Sequence, residues 1–362
     1  MSYRRRQTLK GRGSSIDPPN RFEAHRHEED FEHLQYESDL EERWRKRTTE
    51  FLPDHSKSII SENDSPDVGF RFSLNPYRGC EHGCAYCYAR PTHEYLGLNA
   101  GLDFETRILY KPDAPRLFEA HLAKRSWQGE PVALSGVTDC YQPIERKLVL
   151  TRGCIDVALA CRQPLIIITK NSLLLRDLAP IAEMAALQLI HVFLSVPTLD
   201  PKLASTLEPR APRPESRLRA IEELTNAGVS AGVMVAPVIP GLTDHEIPAI
   251  LKAARDAGAI AAGKVLLRLP HAVRPIFLDW LSRHAPDRAS RVEQRIMACR
   301  DGKLNDTRFS KRLVGSGPIA EQIQATFNLF RTKLGFRMKP PPLDSSQFRR
   351  PRLDGQLTLF EE

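Results

Sequence analysis

Between residues 70 and 270, short apolar runs alternate with helix-patterned segments. FRFSLNPYRG (70–79) opens the series, followed by PVALSG (131–136), PLIIITK (164–170), LIHVFLSVPT (189–198), VSAGVMVAPVIPG (229–241) and GKVLLRLP (263–270). The stretches KLVLTRGCIDVALACR, DLAPIAEMAAL, SRLRAIEELTNAG and HEIPAILKAARDAG lie between them and read as helices. Gly228 and Gly258 stand where two of those helices need a C-terminal stop. Such alternation predicts a mostly parallel sheet covered by helices. Right-handed crossovers let that sheet curl. About six units favour a partial barrel over a closed eightfold one. The expected class is therefore α/β, a partial, about six-stranded, parallel TIM-like barrel; a doubly wound sheet shares the pattern.

The rest of the chain divides around this block. Residues 1–66 are charged and broken, and are expected to form a partly disordered N-terminal arm. The barrel is expected over 67–270. PIFLDWLSRHAP, RASRVEQRIMACRDG and GPIAEQIQATFNLFRTKLG predict a helical extension over 271–337. From Met338 the chain turns proline-, arginine- and aspartate-rich, which predicts a flexible tail over 338–362. Lysine and arginine outnumber acids by 52 to 45, a net charge of +7, which suits a nucleic-acid partner or a merely basic surface. No run of 18 apolar residues is present, and MSYRRRQTLKGRGSS lacks the apolar centre of a signal peptide. Seven cysteines, odd in number and unevenly spread, argue against a secreted disulfide scaffold. The expected compartment is the cytoplasm.

Three of those cysteines fall in CEHGCAYC, at Cys80, Cys84 and Cys87. Three thiolates this close suit zinc or an iron–sulfur cluster rather than a hard cation. Zinc would need a fourth ligand, for which His82 and His93 are available. An electron-transfer [4Fe–4S] cluster would want a fourth cysteine, and Cys140, Cys154 or Cys161 could offer one. The third reading takes the count at face value. Three thiolates on a four-iron cubane leave one iron open to a small chelating molecule, and the amino and carboxylate groups of S-adenosylmethionine can chelate it. Gly79 and Gly83 would let the loop fold tightly, and Tyr86 would pack against the cluster or the adenine.

CEHGCAYC resembles the CxxxCxΦC signature of the radical S-adenosylmethionine superfamily, here directly after a strand. The wider NPYRGCEHGCAYCYAR, with SGVTDCYQPIE, is similar to the branch related to spore photoproduct lyase. The resemblance covers roughly residues 68–270. It implies a [4Fe–4S] cluster held by Cys80, Cys84 and Cys87, S-adenosylmethionine as cofactor, and reductive cleavage of its sulfonium to a 5′-deoxyadenosyl radical. It also implies an electron donor such as flavodoxin or ferredoxin.

The same resemblance implies a cofactor pocket along the strand ends. Ser135, Thr138 and Asp139 would meet the methionyl ammonium, although these residue types also cap helices. Ser195 would contact the ribose. Arg210, with Glu208 and Arg217 nearby, would clamp the carboxylate. Val238 and Ile239 would form an apolar wall beside the adenine. Arg268 and His271 stand at the end of the sixth strand, where barrel sites gather. Cys140 would return hydrogen to a product radical, with Tyr141 as a relay. Cys154 and Cys161, seven apart, read as a core stripe.

The chain's last residues hold Gln356, Leu357, Thr358, Leu359 and Phe360 in an otherwise polar stretch. QLTLF resembles the bacterial sliding-clamp binding peptide. The expected function is a radical enzyme acting on DNA lesions or nucleobases, as a lyase or in DNA repair. Modification of a protein, a transfer RNA or a small metabolite is the alternative, and a non-catalytic iron–sulfur module docked on DNA machinery is the third class.

Overall fold

The structure is a computed structural model that describes residues 11–23 and 48–352. Its centre is a seven-stranded sheet built from β2 (Ile60–Glu62), β3 (Phe72–Leu74), β6 (Val132–Leu134), β7 (Leu165–Thr169), β8 (Ile190–Ser195), β9 (Ala231–Val238) and β10 (Ala261–Leu266). Their order across the sheet is β10-β9-β8-β7-β6-β3-β2. From β3 to β10 every pairing is parallel, which makes six parallel strands, as the alternation predicts. β2 adds one antiparallel strand at the edge. The remaining strands, β1 (Glu50–Pro53), β4 (Tyr77–Arg78) and β5 (Arg107–Tyr110), form a small second sheet in the order β1-β5-β4.

Central strands covered on both faces want continuous branched apolar residues, and β7 reads Leu-Ile-Ile-Ile-Thr. The helices between strands turn their apolar stripes inward. The helix Pro214–Asn226 buries Arg217, Ala220, Ile221 and Leu224. It stops at Gly228, where the Val229 amide returns to the Leu224 carbonyl. Ile247–Asp256 repeats the pattern, with Ile250, Leu251 and Ala254 buried and the Ala259 amide on the Ala254 carbonyl.

Three helices extend the barrel: Val273–His284, Pro286–Ala298 and Gly317–Lys333. Phe277, Trp280, Leu281, Val292 and Ile296 form one apolar cluster with Ile239, Leu242, Leu267 and Leu269 from the strand ends and with Cys84, Ala85 and Tyr86. The extension therefore packs against the cysteine loop. It also crosses the open seam of the partial barrel. Asp67, just before β3, accepts from the Ser310 amide (2.5 Å) and from Arg312 (2.6 Å), while the Leu266 amide on β10 bonds to the Leu313 carbonyl (2.9 Å). The two ends of the sheet are thereby tied through one segment. Among the described residues, no helix is long and apolar enough to cross a membrane.

The stretch from Met338, expected as a flexible tail, is docked as far as Arg350. It crosses beneath the amino-terminal ends of the strands. Just before it, the Arg337 amide bonds to the Ile260 carbonyl (2.9 Å). The His191 Nε2 then meets the Pro341 carbonyl at 2.7 Å. The Asp344 amide reaches the Gln188 carbonyl, and the Arg349 amide reaches the Cys161 carbonyl. Phe348 covers Gly129, and Arg350 donates to the Trp127 carbonyl. Most of these contacts engage main-chain groups, so the polar composition carries no sign of them. Gln356, Leu357, Leu359 and Phe360 lie outside the described residues, as do parts of the N-terminal arm.

Candidate functional site

The cysteine loop begins where β4 ends. Gly79 has φ +79°, and a Cβ there would lie 2.8 Å from the His93 ring and 2.9 Å from the Phe104 carbonyl. Gly83 has φ +65°, and a Cβ there would meet the Glu105 carboxylate at 2.7 Å. Both positions therefore exclude side chains, which accounts for the two glycines in RGCEHGC. The loop then winds by short backbone bonds: the Gly83 amide to Cys80, the Cys87 amide to Cys84 and the Arg90 amide to Cys87. The Cys80 amide is pinned to Phe104 at 2.9 Å and the Ala85 amide to Leu207 at 3.0 Å.

Arg90 grips the loop from beneath. Its Nε and Nη2 both donate to the Cys84 carbonyl (3.1 and 2.9 Å), and Nη1 donates to Ala100 and Gly101. Nη2 also pairs with Glu105 at 2.5 Å, and neither side chain touches solvent. Glu105 accepts in turn from the Gly13 and Ser14 amides at 3.0 and 2.9 Å, so a segment of the N-terminal arm is docked here. On the other side Gln142 accepts from the Glu81 amide (2.9 Å) and donates to Gly79 (3.2 Å), while Glu81 accepts from the Ile144 amide (2.8 Å).

Cys80 and Cys84 are buried, Cys87 is half-buried, and all three are free thiols. Burial pushes the Cys80 thiol well up, and Asp139, Cys84 and Cys87 add to the effect. Cys84 is raised by burial and by Glu208, against the pull of Lys170. Two buried thiols whose anions are disfavoured suit a cationic centre that holds them deprotonated. Among the described residues, no three His, Cys, Asp or Glu side chains converge as a single ion requires. Of the histidines weighed for zinc, His82 lies between Asp139 (Nδ1, 3.4 Å) and Asn171 (Nε2, 3.3 Å), and His93 bonds through Nε2 to the Arg107 carbonyl (3.0 Å), its Nδ1 having no hydrogen-bond partner among the described residues. Cys80, Cys84 and Cys87 are the donor type that an iron–sulfur cluster takes.

Two buried networks join this loop to the strand ends. Asp139, after β6, accepts from Thr169 (2.6 Å), the Lys170 amide (2.8 Å) and the Tyr141 amide (2.9 Å), and faces His82. Burial alone would raise its pKa, but His82 and these hydrogen bonds prevail and hold it low. Glu208 accepts from the Tyr86 hydroxyl and from Arg217 (2.5 Å), and Arg217 also donates to the Ser195 carbonyl at 2.8 Å. Burial opposes the Glu208 charge, yet Arg217 and Lys170 keep its pKa below the usual carboxylate value.

The remaining expected residues divide by placement. Ser195 is buried at the end of β8, and Val238 and Ile239 are buried at the end of β9. Ile239 shares the apolar cluster with Cys84 and Tyr86. Ser135 has φ +81° and accepts from the Cys140 amide (2.8 Å), and Thr138 donates to the Tyr77 carbonyl (3.1 Å). Both hydroxyls thus brace the loop. Arg210 lies beside the cysteine loop, its amide on the His82 carbonyl and its guanidinium 3.4 Å from Glu81 and 3.3 Å from Thr49. His271 is exposed.

Cys140 and Tyr141 follow Asp139, and the Tyr141 carbonyl accepts from Asn171, which also meets His82 of the cysteine loop. Cys140 and Tyr141 are both completely buried in the main core with Cys154 and Cys161, apart from the clusters that hold Cys80 and Cys84. Cys140 feels the charges of Asp139 and Glu145, and Tyr141 bonds to Asp177 at 3.1 Å. That aspartate belongs with Arg176, Glu145 and Tyr77 to a further buried network. Lys170, which the sequence pattern does not single out, stands at the end of β7, 5.8 Å over the Tyr86 ring. Cys84, Glu208 and Asp139 favour its charge despite burial. Arg90 and Gln142 are equally unmarked by pattern, although they stand inside NPYRGCEHGCAYCYAR and SGVTDCYQPIE.

The sequence profile of the Radical SAM superfamily matches residues 74–254, half of the chain. An uncharacterized protein of Mycobacterium tuberculosis is 40% identical over 227 residues, 62% of this chain and 67% of its own length. One of Methanocaldococcus jannaschii is 29% identical over 197 residues, covering 54% and 71%. Among solved structures, spore photoproduct lyase complexed with dinucleoside spore photoproduct superposes with a TM-score of 0.57 at 14% identity, covering 79% of this chain and 80% of that one. At that identity the likeness is one of fold.

Two outcomes follow from the geometry around the cysteines. Arg90→Met leaves Glu105 buried without its cation and is expected to cost about 3–5 kcal/mol, with cluster uptake falling in step. A denaturation midpoint within error of the parent would show the pair is dispensable. His93, held down to about 4 by burial against an ordinary 6.5, keeps the folded form from taking up a proton that the unfolded chain accepts first. Its contribution is complete above about pH 6.5 and drains by roughly 2–3 kcal/mol as pH falls to about 4.5. Urea unfolding of His93→Gln at about pH 7 and 4.5 should show a correspondingly smaller loss than the parent; equal losses would count against the assignment.

Proposed function

This chain belongs to the radical SAM superfamily, and from that premise we propose that it cleaves S-adenosylmethionine reductively and directs the chemistry at a nucleic-acid lesion or nucleobase. The observation that carries the reading is the cysteine loop: three free thiols, two of them buried, on a backbone held by Arg90, Glu105 and Gln142. Cys80, Cys84 and Cys87 would hold a [4Fe–4S] cluster, which supplies single electrons to a sulfonium bound beside it.

The protein's own part is binding, orientation and exclusion of water. Lys170 is the cation best placed for the methionyl carboxylate, because Arg210 is already turned to Glu81 and Thr49. The Ser195 hydroxyl suits the ribose, and Val238 with Ile239 supplies an apolar wall. Asp139, Ser135 and Thr138 act by fixing the loop after β6. Hydrogen return from Cys140 is not part of this reading, since its thiol lies in the main core.

The nucleic-acid substrate class is supported by the net charge of +7 and by the fold shared with a lyase solved with a dinucleoside photoproduct. Delivery to DNA through a sliding clamp fits the same reading. The residues that would carry that contact are Gln356, Leu357, Leu359 and Phe360. Flavodoxin or ferredoxin is the matching class of electron donor.

Anaerobically reconstituted Cys84→Ala is expected to lose the visible cluster absorbance and dithionite-driven 5′-deoxyadenosine together; retention of both would refute the site. Lys170→Gln should keep the absorbance and raise the KM for S-adenosylmethionine by roughly ten- to a hundredfold, the factor for losing a hydrogen bond to a charged group. Deleting residues 353–362 should abolish clamp binding in a pull-down and leave 5′-deoxyadenosine formation intact.

A further inference from the structure

Arg268 follows β10 on the side of the sheet where the cysteine loop sits. Its guanidinium carbon is 5.8 Å from the centroid of the Tyr88 ring. The side chain is half-buried, and its Nε is buried with no hydrogen-bond partner among the described residues. Asp67, the carboxylate in its field, is already bonded to Arg312 and to the Ser310 amide, and Arg312 adds like charge. Burial and Arg312 together push the Arg268 pKa down. A buried donor without a partner is costly, and a ligand oxygen could satisfy it.

The surroundings indicate what that is. Tyr88 is 52% exposed, a large aromatic presented to solvent next to Cys87. Its hydroxyl is tied to the Gly136 carbonyl at 2.9 Å, so the ring is held across the mouth from the β6 end toward the β10 end. Lys170 adds a second positive charge acting on the same tyrosine. The arginine fork matches the geometry of phosphate oxygens, and an exposed ring beside it suits a flat base.

We propose that Arg268 is the phosphate clamp of the substrate site, holding a phosphate of a nucleotide whose base lies against Tyr88. This rests on the nucleic-acid reading and names the part of the mouth that would recognise it. Arg268 would hold the phosphate, because Asp67, the carboxylate in its field, is bonded to Arg312 and the Ser310 amide instead, and Tyr88 would set the distance between that phosphate and the cysteine loop. An arginine in this role is a binding residue.

The test is fluorescence anisotropy of a fluorescein-labelled single-stranded oligothymidylate with the reconstituted full chain. Arg268→Gln should weaken binding by at least about tenfold and lower the salt slope by about one; Arg268→Lys should fall between, keeping charge but losing the fork. Arg291→Gln, an exposed arginine on the helix Pro286–Ala298, is the control and should bind within about twofold of the parent. The melting temperature of Arg268→Gln should be unchanged or higher, because a buried donor without a partner is removed. Binding within about twofold of the parent, or a melting temperature that falls together with binding, overturns the clamp and leaves the nucleic-acid reading standing. A parent protein that binds no oligonucleotide overturns both, while substrate-free 5′-deoxyadenosine formation reports separately on the radical chemistry.

Discussion

The pairing of Arg90 with Glu105, out of reach of solvent, is the contact around which this molecule is arranged. Neither charge could sit there alone, since breaking such a pair costs about 3–5 kcal/mol. Each partner also carries further bonds. Arg90 holds the Cys84 carbonyl twice, and Glu105 holds the Gly13 and Ser14 amides. The pair therefore sets the height of the middle cysteine and draws a segment of the N-terminal arm under the loop. A loop that must present three thiols with little secondary structure of its own needs such a brace.

The barrel enters through its strand ends. Asp139 bridges the loops after β6 and β7 and faces His82 between the first two cysteines. Glu208 and Arg217 link the end of β8 to Tyr86. Both carboxylates stay ionised inside the protein because buried cations and hydrogen bonds outweigh desolvation. The helical extension completes the enclosure, with Trp280 donating to the Thr206 carbonyl and Phe277 stacked 5.7 Å from it. Strand ends, loop and extension thus form one packed unit, which is the preorganisation that radical chemistry requires.

Legibility followed the physical range of each signal. β7 could be read because buried parallel strands demand branched apolar runs, and Gly79 with Gly83 could be read because nothing larger fits. Cys80, Cys84 and Cys87 were visible because one loop supplies all three. Asp139, Ser135 and Thr138 do stand at the strand end, yet their partners are protein groups, which no local pattern distinguishes from a ligand. Cys140 stands beside them in the same motif and belongs to the core. The strap over 338–350 is silent in the sequence because main-chain hydrogen bonds leave no mark on composition.

Taken alone, the amino-acid sequence determined the six parallel strands, the helical extension and the three-thiol loop, since periodicity, chain length and close spacing are local properties. Only the tertiary structure decided which charges meet. Arg90 with Glu105, Lys170 above Tyr86, and Arg268 with an Nε that no described residue answers depend on residues brought together from different loops and strands, and a side chain's role follows from the company that folding gives it.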